Sequence, residues 1–187
     1  MKTVLLVSAM AFAIAIFMKE LVLERVKPVT ELSITEQFIE EIGSRAQVIA
    51  RENDLYASVM IAQAILESDS GQSGLSQSPH FNFFGIKGNY QGQSVSLETW
   101  EDDGQGNPYT ITADFRSYGN LENGLEDYAQ FLDRDLYWAV HRSNTLSYTD
   151  ATKALTGTYA TDTSYGSKLN NLIQTYQLTR YDIIQSR

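Results

Sequence analysis

The stretch SVMIAQAILESDSGQSGLS, Ser58 to Ser76, places one carboxylic acid at the end of an apolar run, with a Gly/Ser-rich segment directly after it. Val59, Ala62, Ile65 and Leu66 recur at helical spacing, and Met60, Ile61 and Ala64 widen the apolar surface. The spacing predicts a helix buried nearly all round, with Gly71 and Gly74 expected to stop it. Glu67 then sits at the helix C-terminus. There the negative end of the helix dipole and desolvation by apolar neighbours both favour the protonated carboxyl. A proton held near neutral pH is what a general acid requires. The competing reading is a glutamate pointing into water, as most do, but so apolar a helix leaves it little solvent face.

A second acid comes from strand periodicity. Ser94 to Glu101 alternates, and Tyr109 to Phe115 alternates again across the turn-rich DDGQGNP, which predicts a β-hairpin. Val95, Leu97, Thr99 and Glu101 share one face; Ser94, Ser96, Glu98 and Trp100 share the other. Glu101 therefore lies with the aliphatic residues at the strand end and could turn toward a cleft, whereas Glu98 is expected in solvent. Asp102 and Asp103 are turn residues, and their spacing does not fit a calcium-binding EF-hand loop. The chain has no cysteine and only two histidines, His80 and His141, without an HExxH pattern. A thiol nucleophile and a disulfide framework are excluded, a zinc hydrolase is disfavoured, and His80 is expected to be a loop histidine. Neither a metal nor a cofactor is expected.

These residues need elements to hold them. The 187 residues, 43% hydrophobic, suffice for one domain with a core plus an extension, and a net charge of −9 argues against nucleic acid as a partner. The uncharged run Thr3–Met18 is expected to be a signal-anchor rather than a cleaved signal peptide. Residues 1–23 form that segment, 24–32 a linker broken by Pro28, and 33–187 the domain. Either form of export places the domain on the outer face of a cytoplasmic membrane or in the wall, anchored there or secreted after cleavage. Ser33 and Glu36 form a capping-box pattern for a first helix running to Asn53–Asp54. The segment SPHFNFFGIKGNYQG, Ser78 to Gly92, suits a tight aromatic loop, in which Phe81, Phe83 and Phe84 either cap the core or wall a cleft. Asn120 is a plausible N-cap for a helix with the stripe Leu121, Leu125, Tyr128 and Leu132. Leu136, Tyr137, Trp138 and Val140 are expected to continue the core. A helix around Asp150–Leu155 precedes the loop GTYATDTSYGS, and the last helix carries Tyr165, Leu169, Leu172, Ile173 and Tyr176. Tyr159, outside any stripe, is freer to face a ligand than Tyr165, with packing the default for both.

Taken in order, AQAILESDSGQSG, NFFGIKG, TWEDDGQG with FRSYGN, and YATDTSYGSKLNNLI resemble the glycoside hydrolase family 73 endo-β-N-acetylglucosaminidases, over nearly everything from Ser33 to about Tyr176. The resemblance implies a mostly α (α+β), lysozyme-like helical domain with a small β-hairpin lobe, acting on peptidoglycan glycan strands between N-acetylglucosamine and N-acetylmuramic acid. It implies Glu67 as the acid, Glu101 as the second carboxylate and Tyr159 as a functional tyrosine. Tyr165 matches a later family tyrosine, and Asn82, Phe84, Trp100 and Tyr165 are the implied substrate contacts. Phe83 stands where relatives usually have Leu. No wall-binding repeat is evident, so the N-terminal segment is the expected tether, and a monomer is expected. The alternatives are a muramidase or lytic transglycosylase cutting the other glycan linkage, and an inert membrane-tethered glycan-binding module. Two placed acids argue against the last.

Overall fold

The computed structural model describes residues 31–102 and 108–183, and the backbone alone at 100–102 and 108. The apolar segment Thr3–Met18 and the expected linker up to residue 30 lie outside the described residues. Among the described residues no helix is long and apolar enough to cross a membrane. From Ser33 onward the chain forms one unit, mostly helical with a small antiparallel sheet.

Helix α1, Ile34–Glu52, starts at the capping box: the Ser33 amide donates to Glu36 at 2.8 Å and the Glu36 amide to Ser33 Oγ at 3.3 Å. These bonds satisfy two amides that a helix start otherwise leaves unpaired. Its buried face, Phe38, Ile39, Ile42, Ala46, Ile49 and Ala50, packs on α2, Ala57–Ser68. Residues Ala57 to Ile65 of α2 are all buried, as the apolar run predicts. Each large side chain there, Met60 or Ile61, contributes on the order of 2 kcal/mol by leaving water. The helix does not stop on glycine. Asp69 and Ser70 take left-handed backbone with φ of 52° and 56°, ahead of Gly71. Ser68 supports the turn, its hydroxyl donating to the Ala64 carbonyl at 2.6 Å and accepting from the Gly71 amide at 2.7 Å. Short polar side chains with local bonds tolerate this conformation better than most residues do.

Strands β1, Ser94–Asp102, and β2, Pro108–Arg116, pair antiparallel from Ser94↔Arg116 to Asp102↔Pro108. The hairpin joins the body at its open end. There the Gly88 amide donates to the Asp114 carbonyl at 2.8 Å and the Arg116 amide to the Ile86 carbonyl at 3.0 Å. Arg116 Nη1 reaches both oxygens of Asp127 at 2.7 Å, and the Tyr118 hydroxyl adds a third bond to Asp127 at 2.7 Å. Asp127 is buried on α3, Leu121–Leu132, so this ion pair fastens the arm to the helical body.

Asn120 caps α3 by accepting from the Asn123 amide at 2.9 Å, and Leu125, Tyr128 and Leu132 are buried as the stripe predicts. The following segment differs from expectation. Asp135–Val140 is a 3₁₀ turn that buries Tyr137 and Val140 and leaves Leu136 and Trp138 exposed. Three residues per turn put i and i+3 on one side, so the neighbours face out. Helix α4, Tyr148–Leu155, and α5, Tyr165–Thr175, close the core. They approach closely at Gly166, where a Cβ would lie 2.8 Å from the Thr152 carbonyl. That contact fixes where α5 begins, and hence where Tyr165 stands.

Candidate active site

The end of α2 carries Glu67, and the start of α5 brings Tyr165 to it: the Tyr165 hydroxyl donates to Glu67 Oε1 at 2.7 Å. One turn earlier on α2, Gln63 Nε2 donates to the Tyr165 oxygen at 2.9 Å, and the Tyr128 hydroxyl of α3 donates to Gln63 Oε1. Residues four apart on a helix share a face, so Gln63 and Glu67 meet the same tyrosine. Gln63, Tyr128 and Tyr165 are buried, whereas Glu67 is exposed: the expectation that so apolar a helix leaves it little solvent face does not hold, because α2 surfaces at its last turn. The carboxyl thus opens outward on a floor of packed aromatics. That packing pushes the Glu67 carboxyl above its ordinary value of 4.5, and the Tyr165 hydrogen bond pulls it partly back. Burial, aided by the Glu67 charge, raises Tyr165, Tyr128 and Tyr159 far above the usual phenol range, so all three keep their protons.

Packing, the default expectation for both tyrosines, holds for both. Tyr159, expected to be the freer of the two to face a ligand, is half-buried and donates its hydroxyl to the Phe84 carbonyl at 2.8 Å. Its ring stacks on Tyr165, with centroids 6.0 Å apart and planes at 16°. Tyr165, an implied substrate contact, is buried in the core and holds the acid. Among the implied substrate contacts, Asn82 is buried and its amide is consumed by the loop: Nδ2 donates to the Ile86 and Arg116 carbonyls at 2.9 and 3.0 Å, and Oδ1 accepts from the Ile86 amide at 3.0 Å. Phe84 is buried and stacked on Tyr128 at 3.8 Å. Both residues thus shape the site from inside, because the loop folds its aromatic and amide groups inward. Phe83 is likewise buried, against Phe38.

Glu101 pairs with Tyr109 near the hairpin tip, on the strand face of Val95, Leu97 and Thr99; its side chain and that of Trp100 lie outside the description. On that face Leu97, Ile111 and Tyr109 are exposed, and burial is confined to the base at Phe115. His80 is a loop histidine, its Nδ1 2.9 Å from Ser117 Oγ. Among the described residues no group of His, Asp or Glu could hold a metal. Gln63 is the residue that spacing alone did not single out. Its signal was available, as the lone amide in the apolar core of α2.

Comparison with known proteins agrees with this arrangement. The chain is 49% identical over 153 residues to an autolysin of Enterococcus faecalis, covering 78% of this chain and 21% of that protein. It is 36% identical over 161 residues to the exo-glucosaminidase LytG of Bacillus subtilis, covering 83% and 56%. The chain therefore spans well under two thirds of these relatives' length. The crystallised catalytic domain of the autolysin Auto from Listeria monocytogenes superposes with a TM-score of 0.80 at 42% identity, covering 88% of this chain and 96% of that one. Residues 43–178 match the glucosaminidase model, described as mannosyl-glycoprotein endo-beta-N-acetylglucosaminidase. With that match running from within α1 past the end of α5, and a helical fold that superposes on the Auto catalytic domain, the chain belongs to the glucosaminidase family of glycoside hydrolases.

Proposed function

We propose that this chain is a peptidoglycan hydrolase that cuts the glycan strand at the N-acetylglucosaminyl-β-1,4-N-acetylmuramic acid bond, with Glu67 as the general acid. The observation that carries this reading is the Glu67 carboxyl itself: open on one side, desolvated from below and held by a buried phenol. A carboxyl shifted above its ordinary value holds its proton to higher pH than a free glutamate does, which favours giving it to the departing glycosidic oxygen as positive charge builds at the anomeric carbon. Glu101, carried by the hairpin arm, would serve as the second carboxylate, activating water or stabilising the cation. Their separation sets the stereochemical outcome, a wide gap giving inversion and a narrow one retention. In a third route the substrate's own N-acetyl group attacks. Tyr159 would then position that N-acetyl group, from a ring stacked on Tyr165.

Family membership, the Auto catalytic domain and the exo-glucosaminidase relative support the choice of linkage. A Lactococcus lactis relative, 44% identical, is named a probable N-acetylmuramidase, so the other linkage is the specific alternative. Mass spectrometry of digested wall separates the two. New reducing N-acetylglucosamine ends support the glucosaminidase; new reducing or anhydro muramic ends would replace it. A zymogram with wild type and Glu67→Gln tests the acid and the inert-binder reading together, since equal clearing by both would remove Glu67 from the reaction. The N-terminal apolar run would hold the domain outside the cytoplasmic membrane, facing the wall.

A further inference from the structure

The hydrogen-bond chain beneath Glu67 has a direction. Tyr128 has one proton and donates it to Gln63 Oε1; Gln63 is thereby left with its amide nitrogen toward Tyr165, and donates to the Tyr165 oxygen at 2.9 Å. With its oxygen occupied by a donor, the Tyr165 hydroxyl turns its own proton outward, to Glu67 Oε1 at 2.7 Å. Relative exposures of 0%, 1% and 3% for Gln63, Tyr128 and Tyr165 leave no surface for water to substitute in the chain. Among the described residues, the titratable groups coupled to Glu67 are hydroxyls: Tyr165 from α5, Tyr128 from α3 and Tyr159 from the loop before α5, with Tyr137 behind them.

We propose that Gln63 is a positioning residue: held by Tyr128, it turns the Tyr165 hydroxyl toward Glu67 Oε1 and so leaves the acid's proton on Oε2. This rests on Glu67 being the general acid. An oxygen that already accepts a hydrogen bond is the carbonyl oxygen of a protonated carboxyl, so the O–H belongs to the other oxygen. When that proton passes from Oε2 to the glycosidic oxygen, the bond from Tyr165 is already in place for the carboxylate that remains, and no group has to turn over. Without Gln63 the Tyr165 hydroxyl is free to rotate and accept from Glu67, which would hold the proton on the inner side. A phenol with only one proton cannot serve both arrangements.

The test is the pH dependence of kcat/KM and kcat on purified glycan strands for wild type, Gln63→Leu and Tyr128→Phe, with Glu67→Gln as reference and thermal unfolding to confirm folding. The basic limb of the profile reports loss of the acid's proton. For Gln63→Leu that limb moves toward alkaline pH by about one unit, because the carboxylate loses an assured donor. kcat falls about tenfold, since part of the protonated population is misdirected. Tyr128→Phe moves the limb the same way by less, since the amide remains but is no longer oriented. Folded variants with lowered kcat and an unmoved limb would show a merely structural role and overturn the assignment. Retained activity in Glu67→Gln would instead remove the acid on which the inference stands, a result distinguishable from the first.

Discussion

The elements that carry the two candidate acids of this domain are of opposite kinds. Glu67 ends a helix whose preceding residues are buried almost without interruption, and Gln63 of the same helix joins tyrosines from α3, α5 and the loop before α5 beneath its carboxyl. Glu101 belongs to a two-stranded arm whose outer part exposes Leu97, Ile111 and Tyr109 and whose attachment depends on the Arg116–Asp127–Tyr118 cluster at the base. On the proposed assignment the same residue type would draw different chemistry from its support. A packed floor raises a carboxyl and fixes its orientation, whereas a projecting ribbon can set a carboxylate across a bound strand without changing its character. Retaining and inverting glycosidases need this division of labour, one acid and one base or nucleophile.

The largest effect belongs to the packed side. Glu67→Gln keeps the shape and the bond from Tyr165 but has no proton to give, and is expected to lose activity by about a thousandfold in a zymogram or soluble-glycan assay. On the arm, Glu101→Gln is expected to lose about a hundredfold. Glu98→Gln, on the opposite strand face, should stay within about twofold of wild type. Equal losses at Glu98 and Glu101, with folding intact, would dissolve the contrast between the two faces.

The attachment can be tested apart from the chemistry. Asp127→Asn removes the charge that holds Arg116 Nη1 and is expected to cost about 2 kcal/mol in unfolding, with more amide exchange in the hairpin than in α2. A uniform rise in exchange would mean that the arm and the floor open as one.

The smallest effect is a stability slope. The folded pKa of Glu67 lies above the unfolded value near 4.5. Its contribution to stability is therefore fully present below that pH and is lost as pH rises through the folded value. Glu67→Gln, which does not titrate, should gain in melting temperature relative to wild type between acid and neutral pH, and the difference should be flat below about pH 4.5. A difference that grows toward acid would reverse the sign of the shift.

Much of this was legible in residue order where the determining interactions are local. The capping box at Ser33, the Asn120 cap, the stripe of α3 and the hairpin alternation depend on neighbours three, four or two positions away, and each appears in the structure. The helix stop was misread because Asp69 and Ser70 adopt backbone usually left to glycine. Leu136 and Trp138 were expected inside with Tyr137 and Val140, but the segment is a 3₁₀ turn and only the latter two share its inner side. The roles of Tyr159 and Tyr165, and of Asn82 and Phe84, depend on partners far along the chain: Tyr165 is 98 residues from Glu67, and Tyr159 is 75 from Phe84. Periodicity carries no record of such pairs, and which tyrosine touches the acid follows from how α5 packs at Gly166.

The most direct measurement is a carbon-detected NMR titration of the Glu67 side-chain carboxyl in the folded protein. A midpoint clearly above the ordinary 4.5 is the expected result, moving higher still in Tyr165→Phe as the stabilising hydrogen bond is lost. A midpoint at or below 4.5 would mean that the carboxyl is ionised well before neutrality, and Glu67 could not be the proton donor.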